Sequence, residues 1–395
     1  MSDVYQDSVA LHKKFQGKIE IHSRMPVTSK AELALAYSPG VAEPCRVIQK
    51  DPEAAYDLTL KGRTVAVISD GTAVLGLGDI GAVAGLPVME GKALLLKEFG
   101  GVDAIPLVLN TKDAGEIIKI VTALSPTFAG INLEDISAPR CFEIEEALQE
   151  IGIPVFHDDQ HGTAIVVTAA LRNAAKVVGK RYEDLHVVIV GAGAAGLAVG
   201  KMLLGLECTS ASCTRLVEIP AVADVILVDS KGAVAPQRTD LNSYKKAFSE
   251  FSNHAQKQGS LADVMAGADV VIGLSRPGLI TTEMIQSMAA QPMVFALANP
   301  TPEIMPEAAK AAGAAVVATG RSDYPNQINN VLVFPGIFRA VIDGRLRKIT
   351  MHMKLIAAES LAALVPEPTA ELIVPDPFMP GLAEKLSQSI LDQLK

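Results

Sequence analysis

The segment that most narrows the fold is an apolar run, Val187–Val190, that ends directly in Gly191-Ala192-Gly193-Ala194-Ala195-Gly196. HVVIV reads as a buried strand and the following LAVGKMLL as a helix, so the glycines form the turn between them. The first glycine permits the tight turn, the second lets backbone approach a pyrophosphate, and the third lets helix and strand pack closely. Helix N-terminal amides then face the phosphates. The next strand, VILV, ends in Asp229, where a carboxylate can take the ribose hydroxyls. Gly191, Gly193, Ala194, Ala195, Gly196 and Asp229 are therefore the expected dinucleotide contacts, with a purely structural glycine turn as the alternative. Asp229 lies 33 residues beyond Gly196, against an interval of about 20 from the usual fingerprint. The excess sits in ECTSASCTRLVEIP, after Leu206, and is expected to be a surface insertion. Gly76-Leu77-Gly78-Asp79-Ile80-Gly81 fits the same pattern, but no strand ending in an acid follows at a suitable distance, so it ranks second. Asp229 would repel a 2′-phosphate and favours NAD, while Ser230 and Lys231 could accommodate NADP; the balance leans to NAD.

Further strands are expected at Thr64–Ile68, Ile105–Leu109, Ile153–Phe156, Asp224–Val228, Asp269–Ile272, Met293–Ala296 and Ala315–Val317. Helical patterns lie between them, such as Gly91–Phe99, Ala114–Leu124 and Gly162–Val178. Alternation of this kind implies α/β architecture with mainly parallel sheets. The expected fold has two domains. Residues 1–161 form an N-terminal α/β domain, and residues 162–395 a Rossmann-like, doubly wound dinucleotide-binding domain with a helical C-terminal tail.

A chain of 395 residues with 49% hydrophobic and 20% charged residues suits a soluble globule with more than one core. The net charge of −9 carries no basic stripe, which argues against nucleic acid or an anionic membrane as partner. No run reaches the roughly 18 to 20 apolar residues that a membrane helix needs, and the N-terminus does not read as a secretory signal. Cys45, Cys141, Cys208 and Cys213 show no metal-ligand spacing and are expected to be free thiols in a reducing cytoplasm.

Two acidic pairs stand out, Glu134–Asp135 in INLEDISAPR and Asp158–Asp159 in PVFHDDQHGTA. Each follows an extended segment, where loops in open α/β sheets gather ligands. Adjacent carboxylates repel one another and need either solvent or a cation. Oxygen donors without nearby cysteines favour a hard ion, Mg2+ or Mn2+. Capping of helix N-termini is the alternative. His157 and His161 flank the second pair and are expected to make local hydrogen bonds. Lys92, at the head of KALLLKEF, would have its pKa lowered by burial and by helix-end amides, as a general base requires; a surface lysine is the competing reading. Tyr37, ahead of the Pro39–Gly40 turn, could be plain packing.

Several stretches in fixed order, among them LAYSPGVAEPC, SDGTAVLGLGDIG, MEGKALLLKEFGGVDAIP, INLEDISAPRCFEIE, IPVFHDDQHGTA, VIVGAGAAG, VFALANPTPEI and TGRSDYPNQINNVLVFPGIFRA, resemble the malic enzyme family in its shorter bacterial form. The resemblance covers nearly the whole chain. It implies oxidative decarboxylation of malate to pyruvate and CO2 with NAD(P)+ and a divalent metal, in a homodimer or higher homo-oligomer. By resemblance Tyr37 is the general acid, Lys92 the general base and Asp158 the carboxylate that orients the lysine. Glu134, Asp135 and Asp159 match the metal ligands, and Asn299 and Asn330 match amides that hold the substrate. Longer members carry a substrate-binding arginine where this chain has Ala73, which leaves open the cation that pairs the second substrate carboxylate. The rival readings are an oxaloacetate decarboxylase, a malolactic enzyme that returns the hydride to give lactate, and a catalytically silent nucleotide-binding module. The last requires a damaged site, and no residue of the set is substituted.

Overall fold

The computed structural model describes residues 4–74 and 76–394. Its first sheet contains β1 (Thr64–Ser69), β2 (Asp103–Val108), β3 (Gly130–Leu133) and β4 (Val155–His157), in the order β2-β1-β3-β4 with every pair parallel. Its second contains β5 (His186–Val190), β8 (Asp224–Asp229), β9 (Gly232–Ala233), β10 (Val270–Gly273), β11 (Met293–Ala296) and β12 (Val316–Thr319). Here the order is β12-β11-β10-β5-β8-β9, parallel except at the β9 edge. Between β5 and β8 the chain adds a small antiparallel hairpin, β6 (Leu206–Cys208) and β7 (Cys213–Arg215).

Both sheets follow from burial on two faces. In the second sheet Val187, Ile189, Val225, Leu227, Ile272 and Phe295 join the large core shared with the first sheet. Their alternate neighbours Val188, Val190, Ile226, Val228, Val271 and Val294 line a smaller core on the opposite face. Successive strand side chains point to opposite faces, so near-continuous apolar runs are what a sheet covered on both sides requires.

Each sheet reverses its strand order once. The first does so between β1 and β3 and the second between β5 and β10, and ligands of open α/β sheets bind in the crevices at such switch points. One long helix, Asp158–Val177, starts directly after β4 and runs against the helix Ala194–Leu203 of the second unit. The tail helices also bind the units together. Phe334–Gly344 packs on both Ala82–Gly100 and Leu382–Gln393, and Met351–Ala363 packs on Asp158–Val177. No described helix is long and apolar enough to cross a membrane.

Three expectations need correction. The helix carrying Lys92 spans Ala82–Gly100 with Pro87 inside it, so Lys92 sits mid-helix rather than at a helix head. Cys208 and Cys213 form a disulfide across the β6–β7 hairpin, and only Cys45 and Cys141 are free; the tight hairpin brings together two cysteines whose spacing matched no motif. The strand expected at Ile105–Leu109 spans Asp103–Val108 instead, starting two residues earlier.

A Cβ at Gly336 would lie 2.8 Å from Leu386 Cβ and 3.2 Å from the Ala383 carbonyl. Gly336→Val is therefore expected to destabilise the protein by about 1 to 3 kcal/mol through overpacking of the C-terminal helix, seen as a lowered midpoint in denaturant unfolding.

Candidate active site

Strand register assembles the acidic groups. Leu133 pairs with His157, so the residues that follow each, Glu134–Asp135 and Asp158–Asp159, emerge side by side. Ile68 pairs with Leu133 on the other flank, and Glu134 N–H donates to the Ile68 carbonyl. Oxygen atoms of Glu134, Asp135 and Asp159 lie within 4.8 Å of one another. Asp135 is held at φ 54, with its N–H donating to Asp159 Oδ2 at 2.8 Å and its carbonyl accepting from Ala73 N–H. Asn132 on β3 and Glu134 just past its end lie two apart, and Asn132 Nδ2 donates to Glu134 Oε2 at 2.8 Å.

Lys92 enters from the helix Ala82–Gly100. Its Nζ lies 2.6 Å from Asp158 Oδ2 and 3.0 Å from Glu134 Oε1, and 4.3 Å from the centre of the Phe334 ring. Asp158 is wholly buried and is fixed by Asn330, whose Nδ2 donates to its Oδ2 at 3.0 Å and to its carbonyl at 3.2 Å. A side chain at Gly162 would strike Asp158 Oδ1 at 2.0 Å, so this glycine is required by the carboxylate before it.

The electrostatics are those of crowded, buried like charges. Burial drives Glu134 well above the ordinary carboxylate range, Lys92 opposing and Asp159 reinforcing the shift. Burial and then the Asp159 charge raise Asp135 to about 8. For Lys92, burial favours the neutral amine, but Asp158 and Glu134 override it and hold the ammonium above its ordinary value. The expected lowering by helix-end amides is therefore reversed, because Lys92 is remote from the helix end and in contact with two carboxylates. Asp135 Oδ2 is buried without a hydrogen-bond partner. An orphaned carboxylate oxygen beside two converging acids is the coordination a hard dication satisfies, and the donor set contains oxygen only.

The dinucleotide loop is equally specific. Gly191 has φ 113, and a Cβ there would meet the Leu274 carbonyl at 2.4 Å. A Cβ at Gly196 would meet the Gly191 carbonyl at 1.7 Å. Gly193 caps the helix that begins at Ala194 and Ala195, leaving its amides open towards the crevice between β5 and β10. Asp229 ends β8, but its carboxylate already accepts from Arg238 Nη1 at 2.8 Å and Lys245 Nζ at 2.9 Å. The second glycine motif is a turn of the first unit. A Cβ at Gly76 would lie 3.0 Å from the carbonyl of Asn299, so this turn meets the exposed Asn299 loop of the second unit across the cleft.

Tyr37 is not brought to this cluster. It is 69% exposed and hydrogen-bonds to none of the acidic residues or Lys92. Sequence reasoning also passed over Asn132, Gly162, Phe334 and Glu145. Only Asn132 carried a signal, its two-residue spacing from Glu134 on a strand. Glu145 accepts from Gln160 Nε2 at 2.9 Å and pairs with His161 Nε2 at 2.6 Å, as local bonding of His161 anticipated. His157 is buried with no hydrogen bond on either nitrogen.

Comparison with known proteins accounts for both halves. Residues 16–149 match the family described as malic enzyme, N-terminal domain, and residues 160–384 match malic enzyme, NAD binding domain. The chain belongs to the malic enzyme family. It is 51% identical over 389 residues to the bifunctional malic/malolactic enzyme of Bacillus subtilis, covering 98% of this chain and 92% of that one. It is 52% identical to the NAD-dependent malic enzyme of Geobacillus stearothermophilus, over 95% and 76% of the two chains. The crystal structure of the NAD-dependent malic enzyme of Thermotoga maritima superposes with a TM-score of 0.91 at 43% identity, over 99% of both chains. The chain is thus an oxidoreductase with a nicotinamide-binding Rossmann-like domain.

The raised carboxyl of Asp135 predicts a pH-dependent stability for metal-free protein. Its folded value, about 8, exceeds the ordinary 3.8, so the folded state binds more protons than the unfolded between them. Stability should fall as pH rises from about 4 to about 8, with the penalty fully present above that. Thermal melts in EDTA should show this decline, and Mn2+ should flatten it; a metal-free profile flat over that window would refute the assignment.

Proposed function

We propose that the chain oxidises malate with NAD+ or NADP+ and decarboxylates the resulting 2-keto acid to pyruvate and CO2, with Lys92 as base, Asp158 as its positioning carboxylate and Tyr37 as acid. The supporting observation is Lys92 Nζ at 2.6 Å from Asp158 and 3.0 Å from Glu134, at the border of the three-carboxylate cluster. Glu134, Asp135 and Asp159 would hold Mg2+ or Mn2+, which when bound supplies Lewis acidity towards the substrate's C2 oxygen.

The chain's own groups do the rest. Lys92, as the neutral amine, accepts the C2 hydroxyl proton while the hydride leaves C2 for the nicotinamide. Two carboxylates, Asp158 more than Glu134, hold the ammonium form, and a metal on Glu134 would weaken that hold and favour the neutral amine. Asn330 keeps Asp158 oriented, and hence the lysine; it acts here through Asp158, in addition to any bond with substrate. Asn299, exposed in the cleft, is the amide free to bind substrate. The domain junction falls at 161/162, inside the helix that starts at the site.

Tyr37 protonates C3 of the enolate in this proposal, and a second copy of the chain would supply it. The helices Val4–Phe15, Lys30–Ala36 and Ala42–Lys50 bury no residue. The same region exposes Tyr5, Leu11, Phe15, Ile21 and Leu35, a concentration of apolar surface that marks an interface. A homodimer with shared sites is the consequence. A malolactic outcome is the second reading, since the Bacillus subtilis relative bears both names; lactate formed from malate would show it.

Lys92→Ala should lower kcat for malate oxidation by about 10³-fold or more, within the scale of general base catalysis and its loss of positioning, and small amines should restore part of the rate. Normal turnover would exclude the base role. Mixing Tyr37→Phe with Lys92→Ala chains should regain activity absent from either alone, because one of the two hybrid sites is intact; failure to complement would put Tyr37 in its own chain's site.

A further inference from the structure

A cavity of about 510 Å³ is lined by none of the four clustered carboxylates and by no residue of the dinucleotide loop, though Gln160 and His161, just after Asp159, do line it. One wall is the helix Arg140–Leu148 of the first unit. The others include the first turns of the helix Asp158–Val177, the helix Ala194–Leu203, the disulfide-closed hairpin and the start of the helix Met351–Ala363. Three of its four acids are already engaged. Glu145 accepts from His161 and Gln160, Glu146 from Tyr244 Oη and the Ser210 N–H, and Glu150 pairs with Lys348, while Glu207 is exposed.

Its two inner lysines are not engaged. Among the described residues, neither Lys201 nor Lys354 donates a side-chain hydrogen bond or has a carboxylate oxygen within 4.0 Å. Lys201 only approaches the rings of Phe142 and Tyr244, at 5.6 and 5.8 Å. Burial lowers both lysines, Lys354 to about 8, against the charges of Glu145 and Glu146 at Lys201 and of Glu145 and Glu207 at Lys354, which favour the ammonium. These carboxylates balance part of the charge from a distance, but none accepts a hydrogen bond from either amine, so two half-buried amines keep unused donors at the cavity. The N-terminal end of the thirteen-residue helix Met351–Ala363 borders the same space, adding the positive end of its dipole.

We propose that this cavity binds a small anion, a carboxylate or a phosphate, between Lys201 and Lys354. The site adjoins the candidate active site directly, since Gln160 and His161 line the cavity together with Glu145. Glu145, on the cavity wall, grips Gln160 and His161, which belong to the same first turn as Asp158 and Asp159. Occupancy therefore bears on the base and the metal ligands without touching substrate.

The test uses the full chain in EDTA, so that the acidic cluster cannot recruit a carboxylate through metal. Thermal melts are recorded with inorganic phosphate or with succinate, at matched ionic strength in chloride. A rise in Tm with either probe that chloride does not reproduce, and that is lost in Lys201→Gln/Lys354→Gln, supports the site. The responding probe then separates phosphate from carboxylate. Absence of a shift with both probes overturns the proposal, as does a shift that persists in the double variant. Lys201→Arg/Lys354→Arg, which keeps the charges, should retain the response, and loss of Tm response there as well as in the glutamine pair would count against a charge-based site. Folding of each variant is checked by its Mn2+-dependent malate turnover.

Discussion

The parallel pairing of β3 with β4 determines where chemistry can occur in this molecule. Leu133 faces His157, and nothing in that register lets the two acidic pairs avoid each other. Four carboxylates then meet a single ammonium in a largely buried space. A one-residue slip would send every side chain of the strand to the other face, dispersing the cluster. The sheet is thus the device that forces unfavourable charge into proximity, and a dication held as proposed would make the proximity tolerable. Lys92 shares in that balance, since the same Glu134 that borders the proposed metal position also borders its ammonium.

Much of the fold was legible because buried parallel strands leave continuous apolar runs. His186–Val190 and Met293–Ala296 fall where the sequence puts them, and so does the helix Ala114–Leu124. β3 was less visible, being four residues long with Asn132 inside it. The helix around Lys92 was read too short because Pro87 and the glycines near it look like interruptions, yet Ala82–Gly100 continues through them. That error mattered, for it invoked helix-end amides where two carboxylates act instead.

The site was legible as a set of residue types and not as a set of contacts. Glu134, Asp135 and Asp159 do converge, and Lys92 does meet Asp158. What no linear pattern could express is that Asn330 clasps Asp158 from 172 residues away, or that Phe334 covers the lysine. Asp229 likewise occupies the foreseen strand end, but Arg238 and Lys245 reach it from later segments. Cys208 and Cys213 meet only because three-residue strands fold back between them, and strands so short leave no periodic trace.

The helix Asp158–Val177 has a mechanical implication. Twenty residues long, it extends about 30 Å, with Lys92's partner Asp158 and a candidate metal ligand at its tip and its shaft clamped by the nucleotide-binding unit. Such a rod acts as a lever. A rotation of only about 2° at the clamped end swings the tip by about 1 Å, from that length, and errors of this size at reacting groups cost about a hundredfold in rate. Small adjustments in the nucleotide-binding unit are therefore felt at full scale beside Lys92.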